Sequence, residues 1–320
     1  MVDRREVVYA YRFLLGREPE NDSVFEGRLS LRDWQTLRDN ILQSEELQKK
    51  LQELCENRVA RDLELTEPNE VDVEISEQHF AKLLDHVQRA WEMLGTDKPY
   101  WSVIVHPDFL PDKVTKNIDV FYASGLTSWA LFERAAARAG VHPSSDWTAF
   151  ELGCGVGRVT TLLAQRFQRV LAYDVSRPHL DIARAHLSNA GIENVTLRQL
   201  DGLQSLLDAP PFDFFYSFLV LQHNPPPLMY RLLAIICRKI RSGGLAYFQI
   251  PVAGTSYRFS IDEYLEHIEG GADMEMHVLP QKYLLPLLQD SGLRIIDVQS
   301  KIIGPPQLQS INILAEKKPE

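Results

Sequence analysis

A glycine-rich turn between a short apolar strand and an amphipathic helix constrains this chain more than any other feature. Residues Thr148–Arg158 read TAFELGCGVGR, and a helix is predicted over Val159–Phe167. Gly153, Gly155 and Gly157 let the backbone turn tightly and approach a ligand closely. The N–H groups that open the helix then face that ligand. The turn therefore predicts a site for a nucleotide-like cofactor.

The spacing of the glycines separates two classes of cofactor. A dinucleotide fingerprint has its last glycine three residues after the second, and Arg158 occupies that position here. A pyrophosphate is therefore disfavoured. With Glu151 two residues before the first glycine, the stretch resembles motif I of the class I S-adenosylmethionine (SAM) methyltransferases. The resemblance implies SAM as the cofactor, with its methionine part in the turn. The cofactor-binding residues implied there are Glu151, Gly153, Cys154, Gly155, Gly157 and Arg158.

From Trp147 onward, strand and helix patterns alternate, which predicts an α/β fold with a parallel sheet. The resemblance implies a Rossmann-like sheet of seven strands whose last two form an antiparallel pair. The predicted strands are Ala149–Leu152, Arg169–Tyr173, Val195–Gln199, Phe212–Ser217, Leu245–Ile250, Leu293–Gln299 and Ser310–Glu316. The helices predicted between them, after the first, are Pro178–Ala190, Leu228–Ile240 and Tyr283–Ser291.

Two acidic residues follow neighbouring strands of this sheet. Asp174 ends the second strand, about 20 residues past the first glycine, where an acidic side chain binds the hydroxyls of a nucleoside ribose. Both the dinucleotide and the SAM interpretations predict this residue. After the third strand, the family resemblance implies that Asp201 accepts from the adenine amine, with Val175 and Gly202 also at the cofactor. Neighbouring Gln199 is the alternative to Asp201.

The fourth strand and the loop after it predict the reaction centre. Phe212–His223 resembles motif IV of the family, and its end lies at the carboxyl edge of the sheet, where open α/β sheets bind ligands. Phe218 is assigned to the cofactor. His223 is the predicted catalytic residue, because neutral imidazole takes a proton from a hydroxyl near pH 7. The alternative is that His223 only shapes the pocket. Gln222 and Asn224 are predicted to donate hydrogen bonds to the acceptor.

Two segments outside the motifs carry candidate acceptor-binding residues. Tyr100–Val141 is predicted to be a cap, with a helix over Ser128–Ala139, and Tyr122 is its candidate for the acceptor pocket. The alternative places Tyr122 among aromatic core residues. In the insertion Val252–Gln281, the guanidinium of Arg258 matches a phosphate or carboxylate and is the candidate clamp for an anionic acceptor. Packing within the loop is the alternative there.

The chain is predicted to consist of three segments. They are a helical module at 1–65, an acidic linker with a helix at 66–99, and the cap with the methyltransferase domain at 100–320. The segment Tyr11–Pro19 (YRFLLGREP), with Trp34 and Ser44–Leu47 (SEEL), resembles a small helical module found beside glycosyltransferases and methyltransferases of bacterial surface glycans. A generic helical bundle for packing or dimerisation is the alternative. If a second copy of this chain or a protein partner binds, we expect it to bind through residues 1–65.

Composition excludes several classes of partner. A net charge of -10 argues against a surface that coats nucleic acid. The three cysteines, Cys55, Cys154 and Cys237, lie far apart, and no cluster has metal-ligand spacing, so no metal is expected. The N-terminus has no apolar signal core, and no run approaches the ~20 apolar residues of a membrane span. A cytoplasmic protein is therefore predicted.

These observations predict a SAM-dependent methyltransferase that methylates an oxygen. The acceptor is predicted to be a small molecule, or a sugar or sugar-phosphate in surface glycan assembly, and the glycan part depends on the N-terminal module alone. Two other classes stay open. One is a non-catalytic SAM-binding or scaffold protein that works through residues 1–65. The other is a nucleotide enzyme that does not methylate, such as a dehydrogenase.

Overall fold

The computed structural model describes residues 2–11, 19–49, 70–255, 257–268, 274–303 and 308–318. The chain divides into two compact units, Met1–Thr66 and Glu67–Glu320. The larger unit contains one sheet of seven strands in the order β3-β2-β1-β4-β5-β7-β6, which confirms the predicted fold class. The strands are β1 Thr148–Leu152, β2 Arg169–Asp174, β3 Val195–Gln199, β4 Phe212–Ser217, β5 Ile240–Gly254, β6 Leu293–Ile303 and β7 Leu308–Lys317.

The first five strands run parallel, and β7 lies antiparallel between β5 and β6. The central strands are apolar along nearly their whole length, as expected for a parallel sheet that helices cover on both faces. Phe150, for example, packs in the core on one face and Ala149 in the core on the other. β1 is flanked by β2 and β4, so their carboxyl ends meet at one edge of the sheet.

Helices cover the sheet. Three of those described in the larger unit lie before β1, with a short 3-10 turn at Pro107–Phe109, and the others connect or follow the strands. The helices of the larger unit are α4 Glu77–Asp97, α5 Pro99–Val103, α6 Val114–Ala139, α7 Thr160–Ala164, α8 Arg177–Asn189, α9 Leu203–Leu207, α10 Pro226–Arg238, α11 Ile261–His267 and α12 Gln281–Asp290. None of the helices in the described part of the chain is long and apolar enough to cross a membrane.

The prediction for the cap helix was wrong at its start. The helix predicted over Ser128–Ala139 begins at Val114, so Tyr122 and Gly125 lie inside α6 and not before it. Gly125 has a packing role, because a Cβ there would stand 2.7 Å from the main-chain oxygen of Arg158. The glycine therefore lets α6 pass close to the turn after β1 and does not end the helix.

Two boundaries around β5 were also wrong. The helix predicted to reach Ile240 ends at Arg238, and the strand predicted over Leu245–Ile250 runs from Ile240 to Gly254. The pairing of β4 with β5 shifts in register between Phe212 and Phe214, so the glycine pair before Leu245 lies within an irregular strand. A bulge accommodates glycines that otherwise indicate a turn. The helix predicted over Val159–Phe167 is shorter, at Thr160–Ala164.

The predicted acidic linker and helix at 66–99 belong to the larger unit where the structure describes them. Val71 forms a parallel bridge with Phe259, and the N–H of Asp72 donates to the Phe259 oxygen at 2.9 Å. α4 begins at Glu77, directly after the capping Ser76, and packs against α8 and α10. The helix therefore helps to cover the carboxyl edge of the sheet.

The smaller unit is helical, with α1 Arg4–Ala10, α2 Asp22–Leu29 and α3 Trp34–Leu42. Asp3 begins α1 with a capping box, in which its side chain accepts from Glu6 and the Glu6 side chain accepts in return. Val7, Leu37 and Ile41 form the centre of its core. Most of the Tyr11–Pro19 segment, which carries the glycan-module resemblance, lies outside the described residues.

Candidate cofactor-binding site

A cavity opens at the carboxyl ends of β1, β2 and β4, where the sequence placed the site. The open space within it, counted to its mouth, is about 880 Å³. The predicted residues that line it are Glu151, Gly153, Cys154, Gly155, Arg158, Asp174, Val175, Phe218 and Asn224. The structure therefore brings together nine of the residues assigned from the sequence.

The glycine turn has the backbone that its sequence predicts. Gly153 and Gly155 adopt φ values of 75° and 53°, in the left-handed region that favours glycine. The N–H groups of Gly153 and Cys154 both donate to the Tyr173 oxygen, which ties the turn to the end of β2. A Cβ on Gly155 would stand 2.9 Å from a methyl carbon of Val103. A side chain at this position would fill the space between the turn and α5.

Asp174 stands at the cavity wall with its carboxylate held by the backbone. Its Oδ2 accepts from the Gly155 N–H at 2.7 Å, and its Oδ1 accepts from the Ser176 N–H at 2.9 Å. A carboxylate has about four acceptor positions, so one remains on each oxygen. Two neighbouring ribose hydroxyls require that arrangement. The same two bonds fix the carboxylate in place before a ligand arrives.

Glu151 and Arg158 form a buried, incompletely paired polar region at the inner wall. Thr160 donates its hydroxyl to Glu151 at 2.6 Å, and Arg158 donates to the hydroxyl of Ser128 at 3.1 Å. Burial raises the pKa of Glu151 to about 7, although Thr160 and Arg158 oppose the shift. Arg158 Nε and the Tyr216 hydroxyl are buried without a hydrogen-bond partner among the described residues. Buried donors of this kind indicate a polar ligand, because leaving them unpaired is unfavourable.

Several residues on the wall were missed by the sequence analysis. Trp91 from α4, Ser102 and Val103 from α5, and His179 from α8 all line the cavity. His179 Nε2 lies 2.9 Å from the Ser102 hydroxyl, and its Nδ1 lies 2.7 Å from Ser176. Burial lowers the pKa of His179. The Ser176–His179 helix start was visible as a capping pattern, but the contribution of α4 and α5 depends on tertiary packing.

The loop after β4 holds His223 in a fixed, non-titrating arrangement near neutral pH. His223 Nδ1 lies 2.8 Å from the Glu275 main-chain oxygen, so Nδ1 carries the proton and donates. Its Nε2 then accepts from the side-chain amide of Gln222 at 3.1 Å. The Gln222 oxygen accepts in turn from Gln249 at 3.0 Å. Burial lowers the pKa of His223 to about 4.

This geometry bears on the two interpretations of His223. The ring is buried and packs edge-on to Trp91 with ring centres 5.2 Å apart, and it does not line the cavity itself. Both nitrogens are engaged, so accepting a proton from an acceptor requires Gln222 to release Nε2. The arrangement favours the pocket-shaping alternative, and the catalytic assignment stays a prediction. Asn224 lines the cavity and donates its side-chain amide to the Val220 oxygen at 3.0 Å.

Other predicted site residues lie away from the cavity wall. Asp201 is exposed and Gly202 lies beside it, while Gln199, the alternative to Asp201, donates to Glu92 and to the Val175 oxygen. Gly157 faces α8. The Arg258 side chain is largely exposed, and its guanidinium lies 3.8 Å from the Glu263 carboxylate. The adenine and anion-clamp assignments therefore stay predictions without a contact in this structure.

Tyr122 is part of an aromatic cluster in the cap. Its ring stacks on His186 with centres 3.6 Å apart, and its hydroxyl donates to the Val156 oxygen at 3.3 Å. Burial raises its pKa, so the phenol stays protonated. Burial also raises the pKa of the Cys154 thiol, which excludes a thiolate at neutral pH in the turn. Within the described ranges, no three histidine, cysteine or acidic side chains are placed to bind a metal ion.

Comparisons with known proteins agree with this site. A profile for the family described as "Methyltransferase domain" matches residues 149–244. A ubiquinone biosynthesis O-methyltransferase of Stutzerimonas stutzeri is 28% identical over 161 residues, which are 48% of this chain and 68% of that protein. A trans-aconitate 2-methyltransferase of Deinococcus radiodurans is 38% identical over 104 residues, and the match spans 32% of this chain but only 36% of that protein.

Among solved structures, this chain is similar to a magnesium protoporphyrin IX methyltransferase from Synechocystis with bound SAM. The TM-score is 0.50 at 15% identity, and the match covers 78% of this chain and 100% of that one. At this identity the likeness shows the fold alone.

The residues on the cavity wall fit that cofactor. Asp174 retains the two acceptor positions that a ribose needs, and Gly153 and Gly155 leave a cradle that a Cβ would fill. The buried Arg158 guanidinium suits the carboxylate of a free amino acid, and the Glu151 carboxyl suits its ammonium group. The match to the family and the chemistry of the wall therefore point to the same ligand.

Proposed function

We propose that this protein, which is a SAM-dependent methyltransferase of the class I fold, transfers the methyl group to an oxygen of a small-molecule acceptor. The observation that carries the proposal is the wall formed by the glycine turn, Asp174 and the Glu151–Arg158 pair. The oxygen acceptor is supported by the O-methyltransferase among the relatives.

When bound, SAM supplies a methyl carbon on a positively charged sulfonium. The contribution of the protein is alignment of the two reactants and exclusion of water. Asp174 would hold the nucleoside end, while the glycine turn, Arg158 and Glu151 would hold the amino acid end. Trp91 and Val103 cover the cavity from α4 and α5. Because His223 Nε2 is engaged by Gln222, we assign this histidine to positioning the loop that begins at Phe218.

A sugar or sugar-phosphate of a surface glycan stays the finer prediction for the acceptor. It depends on the resemblance of Tyr11–Pro19, and the exposed position of Arg258 provides no anion clamp in its support. The non-catalytic alternative predicts SAM binding without transfer to any acceptor.

Calorimetric titration with SAM and with its demethylated product tests the cofactor site. Asp174→Ala is expected to weaken the binding of both ligands at least tenfold, because the hydroxyl contacts and the anchor of the Gly155 N–H are lost together. Asp181→Ala is the control, since this acid is exposed on α8 and pairs only with Arg177 and Arg184 among the ion pairs of the described residues. Equal affinity in the Asp174 and Asp181 variants would contradict the site.

Labelled SAM and nuclear magnetic resonance of the product test the oxygen. An O-methyl product is expected. An N-methyl or C-methyl product would overturn the proposed acceptor atom, and binding without transfer would favour the scaffold alternative.

A further inference from the structure

A second cluster of polar side chains lies outside the cavity wall, around the carboxylate of Glu275. Its members come from α4 and from the connection between β5 and α12, and all lie outside the 149–244 segment that matches the family. We call this the Glu275 cluster, and it consists of His86, Tyr257, Tyr264, Glu275 and His277. The insertion Val252–Gln281 therefore contributes four of the five residues.

Three donors converge on the Glu275 carboxylate. His86 Nε2 lies 3.2 Å from Oε1, while the Tyr264 hydroxyl and His277 Nε2 lie 2.6 Å and 2.8 Å from Oε2. Burial alone would raise the pKa of Glu275, but these bonds outweigh it and lower the pKa to about 2. An ionised carboxylate only accepts, so both Nε2 atoms carry their protons.

The carboxylate keeps room for one further donor. Of its roughly four acceptor positions, two on Oε2 and one on Oε1 are used, which leaves one on Oε1. The Glu275 side chain is 31% exposed, whereas those of His86 and His277 are each 8% exposed. The Glu275 side chain is therefore more exposed than the two histidines that donate to it. Behind it, the Tyr257 hydroxyl lies 3.0 Å from His277 Nδ1 and fixes that ring.

The walls of the cluster are aromatic. The Tyr264 ring lies edge-on to His86 at 6.0 Å and to His277 at 5.8 Å, measured between ring centres, and Phe259 lies 5.1 Å from Tyr264. These rings pack on one another beside the carboxylate, and an aromatic surface next to a single polar group suits an uncharged organic molecule. Within the described residues, the ion pairs of Glu275 are with His86 and His277 alone, and neither lysine nor arginine joins them.

Two hydrogen bonds attach the cluster to the loop beside the cofactor cavity. The Glu275 main-chain oxygen accepts from His223, and the main-chain N–H of His277 donates to the main-chain oxygen of Gln222 at 2.7 Å. Val220 and Asn224, on either side of this short segment, line the cavity. A molecule bound at the Glu275 cluster would therefore lie beside the loop that also lines the cofactor cavity.

We propose that the Glu275 cluster is the acceptor subsite and that it takes an uncharged, hydroxyl-bearing compound. A hydroxyl of the acceptor donates to Oε1 of Glu275 and is thereby oriented. A phosphate monoester offers negative charge to a carboxylate that needs a donor, so it is a poor ligand here. This inference rests on the proposed function. It applies equally to a phenol and to a sugar, which share this chemistry.

The test uses labelled SAM with matched acceptors: catechol, methyl glucoside and the phosphate monoester of each. Methylation of at least one uncharged probe is expected, at ten or more times the rate for its phosphate ester. Which uncharged probe reacts distinguishes a phenol from a sugar. A faster reaction of a phosphate ester overturns the inference. Absence of transfer to both uncharged probes, by protein that binds SAM, overturns the acceptor class.

Glu275→Gln tests the residue itself. The amide removes the charge and half of the acceptor positions, so kcat/KM for the reactive probe should fall at least tenfold while the Kd for SAM stays within twofold. The matched control is Glu263→Gln, in the same insertion but exposed, with kcat/KM unchanged. Full activity in Glu275→Gln with an O-methyl product contradicts the subsite and leaves the proposed function intact.

A milder variant covers the case in which Glu275→Gln does not fold. Tyr264→Phe removes one donor to Oε2 and preserves the ring, so the carboxylate is less firmly oriented. The KM of the reactive acceptor should rise at least threefold, with the Kd for SAM unchanged. An unchanged KM in this variant would show that the orientation of Glu275 has no part in acceptor binding.

Discussion

Acidification should destabilise this protein through His223, in an amount that the structure fixes. Burial lowers the pKa of the folded imidazole from 6.5 to about 4. Between these values the unfolded chain binds a proton that the folded chain does not, so stability is complete above pH 6.5 and is lost as pH falls towards 4. At about 1.4 kcal/mol per pKa unit, lowering the pH from about 7 to about 4.5 costs about 2–3 kcal/mol.

The variant His223→Asn isolates this effect. The asparagine amide retains a donor near the position of Nδ1, facing the Glu275 oxygen, but it does not titrate. The difference in unfolding free energy between wild type and variant should therefore shrink by about 2–3 kcal/mol from about pH 7 to about pH 4.5. Urea unfolding followed by tryptophan fluorescence measures it, because four of the five tryptophans lie after residue 66.

His142→Asn is the control, since His142 is exposed in the turn before β1. The His223→Asn difference should change with pH by more than the His142→Asn difference does. If the His223→Asn difference stayed constant within about 0.5 kcal/mol, the imidazole would not be buried and neutral as described. The assignment of His223 to positioning the loop would then fail, and proton transfer by this residue would become the better interpretation.

The other predictions concern Glu151 and the contact between α4 and α8. Burial raises the pKa of Glu151 from 4.5 to about 7, so its contribution is complete below pH 4.5 and is lost as pH rises towards 7. For Glu151→Gln, the unfolding free energy of wild type relative to the variant should therefore increase by about 2–3 kcal/mol from about pH 7 to about pH 4.5 in the same urea assay. A Cβ on Gly95 would stand 2.6 Å from His179 Nδ1, so Gly95→Ala should cost about 1–2 kcal/mol in thermal unfolding and weaken SAM binding. Gly27→Ala, with open space around a helical glycine, is its control and should not destabilise; equal effects would refute the packing argument.

The stability contributions of His223 and Glu151 change with pH in opposite directions, and this is why the variants are needed. One group loses stability as pH falls and the other as pH rises over nearly the same range, and the two magnitudes are alike. The wild-type stability can therefore stay nearly constant with pH while both groups are strongly perturbed. Only the difference between wild type and each variant reveals the separate contributions.

The parallel strands and the cofactor turn could be predicted because their signals are local. β3 and β4 have the predicted bounds, since buried parallel strands are continuous apolar runs between turn residues. The glycines after β1 and Asp174 after β2 follow from the geometry of a strand end beside a helix start. These features need only neighbouring residues, so one sequence suffices to identify them.

The parts that depend on tertiary packing could not be predicted in this way. The cap helix was predicted to begin only at Ser128, but α6 already includes Gly125. This glycine is needed because α6 passes close to the Arg158 main chain, which is a tertiary contact. His86 and Glu275 meet across a separation of 189 residues, and no periodic pattern connects them. Asp201 was placed by analogy with a strand end, and its exposure depends on the loop that follows.

α4 connects the two sites that this protein needs. Val87 and Trp91 on this helix line the cofactor cavity, while His86 on the same helix donates to Glu275. The edge of the Trp91 ring packs on His223, which in turn donates to the Glu275 main-chain oxygen. A shift of α4 therefore changes both sites at once. By linkage, if SAM binding orders this helix, acceptor affinity rises by the same factor by which the acceptor raises SAM affinity. A helix outside the methyltransferase family match is thus the element that contributes side chains both to the cofactor cavity and to the Glu275 cluster.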